Sequence, residues 1–385
     1  MSLTQNVNQN SFLILGHTRT GMGERVLAYK MEKLIKEAGF STFPTIDLID
    51  LMGELYEPYG WLNYDLADGG YSPIEGLTSL SLPKAQIALV LSWCFGLAAL
   101  FATDLCHSHY VVAKLYAHHP NERILPKLYA PAHLLITESL LANERGETYG
   151  LDQGKMLYLP HCYVTDDKVE KSNFEIRKSK KRLIGTVARL EYGKNCEFAI
   201  EAVRRLVEKG EDVLLYLKGD FCEKSPYPAY KGFMKKILEV YQEEEWLIWD
   251  SSYTPFPDVL ALYRQFDLLL HPSGAEGGSH VVVEALGLGI PCIVLNCSTH
   301  PYLFKDLVTF VNTTGKMYGH QPAFCIPDLE DLVNKLSQDL SPPDLARVSE
   351  RFDPAIARER IPLLFDPNPD KIKNLYQKDC KLYGL

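Results

Sequence analysis

Two glutamates, Glu276 and Glu284, stand eight residues apart around a glycine-rich turn. The turn joins two apolar runs, so the stretch 268–296 reads as buried strand, turn, short helix and second buried strand. Acids inside so apolar a unit are costly unless they are hydrogen-bonded. The backbone N–H groups of Gly277, Gly278, Ser279 and His280 fall at the helix start, which suits an anion or an array of sugar hydroxyls. A second pair is cationic. A buried run delivers Arg189, and the loop after it delivers Lys194 five residues later. Arginine offers a fork and lysine a point charge, and together they suit a diphosphate. The chemistry these side chains suggest is the holding of a phosphorylated, polyhydroxylated ligand. The plainer alternatives are a solvated surface pair for the two cations and an N-cap for Glu276.

Such residues need strands that end together. At 385 residues the chain exceeds one typical core, which predicts two domains. In the first part, apolar runs at 11–15, 41–51, 87–93, 110–116, 133–139 and 156–159 read as strands, with helical patterns at 24–39 and 95–107. In the second part, strands are expected at 183–187, 212–218, 246–249 and 267–271, with helices at 196–209, 230–241, 257–265, 302–307, 329–340 and 343–351. Strand–helix alternation of this kind implies parallel, doubly wound α/β sheets. Val281, Val282 and Val283 are poor helix formers, but a strand there leaves no crossover before Pro291. The expected organisation is an N-terminal domain at 1–165, a charged linker at 166–182, a C-terminal domain at 183–360 and a basic tail helix within 361–385, packing back on the first domain.

Composition narrows the class. Hydrophobic residues are 46% and charged residues 23%, as in soluble globular proteins, and a net charge of −9 argues against a general nucleic-acid binder. Nine cysteines without a Cys-x-x-Cys pair point to reduced thiols in the cytoplasm rather than a disulfide framework or zinc site. The polar N-terminus lacks the apolar core of a signal peptide, and the apolar run 87–102 is too short to span a bilayer. The basic run 177–182 suits either a solvated linker or contact with an anionic membrane surface. Tyr56, Tyr59, Trp61 and Tyr64 are suited to stack on a sugar or to pack as an insert over the first sheet.

The ordered set Gly185-x-x-x-Arg189-Leu190-x-x-x-Lys194-Asn195, then Lys218-Gly219-Asp220, then Pro272-Ser273-x-x-Glu276-Gly277 with Glu284 after it, resembles the retaining glycosyltransferases of family 4. The resemblance implies the GT-B fold: α/β, two facing Rossmann-like domains with parallel sheets and an interdomain cleft. It implies that Arg189 and Lys194 hold the diphosphate of a nucleoside-diphosphate sugar. It implies that Glu284 accepts from the ribose hydroxyls, and that Glu276 with the N–H groups of Gly277, Gly278, Ser279 and His280 binds the sugar. Gly219 and the backbone around Ser252 are expected on the donor side. In the first domain the loop 16–23 has a Gly-x4-Gly spacing without the lysine and hydroxyl of a P-loop, so it reads either as a plain turn or as a donor-binding loop using Gly16 and Arg19. The family often places a catalytic histidine after a first-domain strand. Here Tyr116 occupies that place, His118 is the candidate, and His119, His107 and His109 are rivals or structural groups. The implied activity is a metal-independent, retaining transfer from a nucleotide sugar, first guess a UDP-sugar, to the hydroxyl of an acceptor such as a glycan or lipid-linked glycan. The nucleotide sugar is a substrate, and no cofactor is expected. A non-catalytic nucleotide-sugar-binding protein and a nucleotide-sugar epimerase are the alternatives.

Overall fold

The computed structural model describes residues 8–16, 22–47, 83, 85–91, 110–115, 129, 132–164, 176, 181–221, 228–241, 243–317 and 324–385. The chain divides into two compact units, Met1–Pro160 with Pro354–Leu385, and His161–Asp353. The helix expected at 95–107, the aromatic cluster of Tyr56, Tyr59, Trp61 and Tyr64, and the histidines 107, 109, 118 and 119 lie outside the described residues.

The first unit holds a parallel sheet of β1 (Asn8–Gly16), β2 (Ser41–Thr42), β3 (Ile46–Asp47), β4 (Ala85–Leu91), β5 (Tyr110–Leu115), β6 (Leu134–Thr137) and β7 (Met156–Tyr158). Its order is β2-β1-β4-β5-β6-β7, with β3 also beside β1. Phe12, Leu13, Ile14 and Leu15 in β1, and Ile87 to Leu91 in β4, have no exposed surface. Strands apolar at consecutive positions are buried on both faces, as parallel pairing requires. Helix α1 (Met22–Glu37) buries Leu27, Met31, Leu34 and Ile35, the stripe its spacing predicts. Helix α2 (Leu140–Thr148) was not legible from spacing, because only its cap marks it: the Ser139 hydroxyl accepts from the Ala142 N–H at 3.3 Å.

The C-terminal helices Pro354–Arg360 and Pro369–Tyr383 belong to this first unit. The Arg360 guanidinium donates to both oxygens of Asp379, at 2.7 and 2.8 Å, and to the Tyr158 carbonyl of β7 at 2.7 Å. Arg360 and Asp379 are 5% and 4% exposed, so this is a buried, bidentate pair.

The second unit alternates strand and helix: β8 (Arg182–Val187), α3 (Cys196–Glu208), β9 (Val213–Lys218), α4 (Pro228–Tyr241), β10 (Leu247–Asp250), α5 (Phe256–Tyr263), β11 (Leu268–His271), α6 (His280–Gly287), β12 (Cys292–Leu295) and β13 (Thr309–Val311). Every pairing in its six-stranded sheet is parallel, in the order β10-β9-β8-β11-β12-β13. That is the Rossmann order, three strands wound one way and three the other. Val282 and Val283 have no exposed surface, so burial overrides their weak helix propensity in α6. An antiparallel hairpin, Thr313–Met317 with Phe324–Pro327, was not anticipated. Of the stretch 166–182, read as a linker from its charge, residues 176, 181 and 182 are described; Ile176 is buried and its N–H donates to Gln265 Oε1 at 2.7 Å. Among the described residues no helix is long and apolar enough to cross a membrane.

Candidate functional site

The second sheet reverses its winding between β8 and β11, which lie side by side through Leu268 beside Ile184 and Leu269 beside Gly185. After β8 the chain crosses towards β9, and after β11 it crosses towards β12. The loops leaving the carboxyl ends of these two strands therefore part, and α/β sheets bind ligands at such a switch point. The β8 loop carries Lys194 and the β11 loop carries Glu276.

The two loops are tied to one another before any ligand is considered. The Gly274 N–H donates to the Gly193 carbonyl at 2.8 Å. The Asn195 amide donates to the carbonyls of Pro272 and Cys325, at 2.8 and 2.9 Å, from a left-handed backbone of φ 54°. Gly193 has φ 86°, and a Cβ there would run into the Phe324 ring. A Cβ at Gly274 would overlap the Cys325 carbonyl, so both loops need glycine where they touch.

Lys194 Nζ then lies 2.5 Å from Glu276 Oε1, and His271 Nε2 meets the same oxygen at 3.1 Å. The backbone of Glu276 is also held. Its N–H donates to Ser298 Oγ at 3.0 Å, and its carbonyl accepts from the hydroxyls of Ser298 and Thr299 at 2.8 and 3.0 Å. Burial by itself would raise the Glu276 carboxyl, but Lys194 and His271 outweigh it and hold the group well below the usual 4.5. Glu276 is thus an ionised, oriented acceptor. It is not the N-cap of α6; that position belongs to Ser279.

Ser279 does not cap the helix with its side chain. Its hydroxyl lies 2.9 Å from His300 Nε2, and His300 Nδ1 lies 3.0 Å from the Leu295 carbonyl. A carbonyl only accepts, so Nδ1 carries the proton and Nε2 accepts from Ser279. Burial first, and then neighbouring His271, lower His300 to about 4 from 6.5. The neutral ring therefore draws the Ser279 hydroxyl away from the first turn of α6, leaving that helix start without a side-chain cap for the N–H groups that follow.

The remaining sequence candidates are placed as follows. Arg189 is 42% exposed in its side chain and pairs with Glu191 at 3.1 Å; among the described residues no hydrogen bond joins it to Lys194 or Glu276. Gly219, at φ 150°, closes β9 against β8, since a Cβ there would overlap the Ala188 carbonyl that precedes Arg189. Ser252 belongs to a network at the ends of β9 and β10: buried Lys218 donates to Asp250 at 2.8 Å and to the Ser252 carbonyl at 2.6 Å. Glu284 on α6 is 2% exposed, and the Tyr263 hydroxyl of α5 hydrogen-bonds to it. Gly277, Gly278 and His280 lead into or begin α6, with Gly277 open enough for a Cβ. Gly16 ends β1 in the first unit, close against Leu91. Arg19 and His118 lie outside the described residues. Sequence reading singles out neither His271 nor His300, and it shows Asn195 and Lys218 only as members of the ordered motif set, with no role attached. The signal was present for His271, which closes an otherwise wholly apolar strand.

These groups set an acid limit on the second unit. His300 is depressed from 6.5 to about 4, so the unfolded chain binds a proton that the folded one refuses across that window. Its stabilising contribution is therefore complete above about pH 6.5 and is lost as pH falls through about 4. Asp250 follows below: burial would raise it, but Lys218, Ser252 and Tyr216 hold it at about 2 from 3.8. Urea unfolding from pH 7 to pH 4 is expected to show a loss on the order of 3 kcal/mol from His300 alone. The variant His300→Gln should unfold with a flatter profile over that range. An unchanged slope in the variant would mean that His300 does not titrate on unfolding.

Residues 167–317 match the family model described as glycosyl transferases group 1. Protein CapJ of Staphylococcus aureus is 28% identical over 148 residues, 36% of this chain; the chain spans 35% of that relative's length. Anabaena Alr3699/HepE, solved in complex with UDP and glucose, superposes with a TM-score of 0.62 at 15% identity, covering 93% of this chain and 100% of that one. An alpha,alpha-trehalose-phosphate synthase (UDP-forming) from Burkholderia vietnamiensis gives 0.59 at 12% identity, covering 98% and 99%. The chain has the α/β architecture with parallel sheets of GT-B glycosyltransferases, and its second unit contains the segment that matches the group 1 model.

Proposed function

We propose that this protein is a glycosyltransferase that takes a sugar from a nucleoside-diphosphate sugar, a UDP-sugar first, and passes it to a hydroxyl acceptor such as a glycan or lipid-linked glycan. The observation that carries the reading is the Lys194–Glu276 pair, 2.5 Å apart where the loops of β8 and β11 part. A departing nucleoside diphosphate gains negative charge in the transition state, and a preplaced ammonium beside an uncapped helix start stabilises that charge as it develops. Arg189, exposed two residues beyond β8, offers a second cation that can leave Glu191 for the diphosphate. Glu276, ionised and clamped, would accept from hydroxyls of the transferred sugar. Similar architecture supports the choice of nucleotide, since Alr3699/HepE was solved with UDP-glucose. Independence of a metal is part of the proposal, because Lys194 and Arg189 supply charge that a metal would otherwise bring, and retention of anomeric configuration is proposed from the motif resemblance.

The test is donor turnover. The protein is incubated with UDP-glucose, UDP-galactose and UDP-N-acetylglucosamine, with and without chelator, and released UDP and the anomeric proton of the sugar are followed by NMR. The reading expects UDP release with retained configuration, unaffected by chelator, from at least one donor. No release from any donor, together with no heat of binding for UDP or any of the three, would refute it.

A further inference from the structure

We propose that His271 is a positioning residue for Glu276: it holds that carboxylate in place and ionised when Lys194 turns from it to the diphosphate of the donor. The inference rests on the donor-site reading above.

Lys194 has one ammonium and, once donor is bound, two anionic partners. In the described structure it is spent on Glu276 Oε1 at 2.5 Å. The Glu276 side chain is only 14% exposed, so water cannot fully replace a departing cation. A carboxylate left so would rotate or take up a proton. His271 prevents both from the opposite side. Its Nε2 meets the same Oε1 at 3.1 Å, and its side chain is 4% exposed, against 21% for Lys194. The more exposed donor can leave, while the buried one stays.

The ring is held for this task. His271 is the last residue of β11, a strand buried along its whole length. Its ring meets that of His300 edge-on, with centroids 5.7 Å apart. His300 is itself fixed at both nitrogens, by Leu295 and Ser279. The two histidines therefore tie Glu276 to the N-cap of α6, so the sugar-side acid and the helix start move as one piece. Hydrogen-bond geometry also sets the tautomer. A carboxylate only accepts, so Nε2 carries a proton. Nδ1 is buried without a partner among the described residues, and a second proton there would leave a donor unsatisfied. His271 therefore meets Glu276 through a proton on Nε2. The charged groups facing it are Glu276 and Lys194, and facing His300 is neutral.

The variants His271→Ala and His271→Gln separate positioning from packing. Glutamine can present an amide Nε2 donor near the place of the imidazole Nε2. His271→Ala is expected to keep UDP affinity within about 3-fold while kcat falls about 10–100-fold, the size of one lost hydrogen bond to a charged group. The acid limb of its kcat profile should move to higher pH as Glu276 protonates more readily, and His271→Gln should recover both rate and limb. Wild-type kcat and acid limb in His271→Ala would overturn the proposal, as would equal loss in both variants at unchanged melting temperature. Should His271→Ala fold poorly, nitrogen-15 NMR of the ligand-free wild type decides. A His271 proton on Nε2 that shifts in Glu276→Gln supports the proposal, and a proton on Nδ1 overturns it. Absence of donor turnover by the wild type refutes the donor reading instead, and the NMR result still reports on the His271–Glu276 bond.

Discussion

Replacing Lys194 with alanine is expected to lower kcat/KM for the donor by about 10²–10³-fold, some 3–4 kcal/mol of transition-state stabilisation. Two effects add. The diphosphate loses the ammonium that meets its growing charge, and Glu276 loses its 2.5 Å partner in a setting only 14% exposed. His271 keeps the carboxylate in place, so donor binding should weaken less than turnover. Arginine should not rescue the activity well. The loop is fixed by Gly193 at φ 86° and by the Asn195 amide on Pro272 and Cys325, which leaves little freedom to seat a planar fork where a point charge sat. Initial rates, with calorimetry for UDP and urea unfolding as the control for folding, check this. Activity within a factor of three of wild type would remove Lys194 from the chemistry.

The second large effect is structural. Asp379→Ala should destabilise the first unit by about 3–5 kcal/mol, because it strands the Arg360 guanidinium in a site where that residue is 5% exposed. Arg360 would keep the Tyr158 carbonyl at 2.7 Å but lose both carboxylate bonds. Since β7 and the helix Pro369–Tyr383 meet through this pair, the C-terminal segment should loosen first, seen as faster amide exchange over 369–385. The double replacement Arg360→Met with Asp379→Leu should recover much of the loss, since apolar residues of similar volume carry no stranded charge. A single variant within about 1 kcal/mol of wild type would show the pair to be incidental.

The meeting of Lys194 with Glu276 could be read from residue types in order. Glu276 and Lys194 are 82 positions apart, yet each follows an apolar run that becomes one of two neighbouring strands, so both end at one edge. The helix at 280–287 was legible only by topology, because three valines argued locally against it. What the sequence did not disclose has physical causes. Arg189 finds a local acid, Glu191, two residues on, and local pairs leave no trace in spacing. The depth of Glu284 is set by Tyr263 from another helix, which no periodicity encodes. Charge marked 166–182 as a linker, because Val169, Phe174 and Ile176 are too few and too scattered to show a period, although Ile176 is buried. His271 and His300 carry no sequence signal of their partners, because Glu276 and Ser279 reach them only through the fold: Nε2 of His271 meets Glu276 and Nε2 of His300 meets Ser279.

The most direct measurement is a crystal structure of the protein with an intact UDP-sugar. The account predicts the diphosphate at the carboxyl ends of β8 and β11 with Lys194 Nζ on a phosphate oxygen, the sugar hydroxyls on Glu276, and His271 still on Glu276 Oε1. Donor bound elsewhere on the chain, or bound there with Lys194 still closed on Glu276 and no protein cation on the diphosphate, would contradict it.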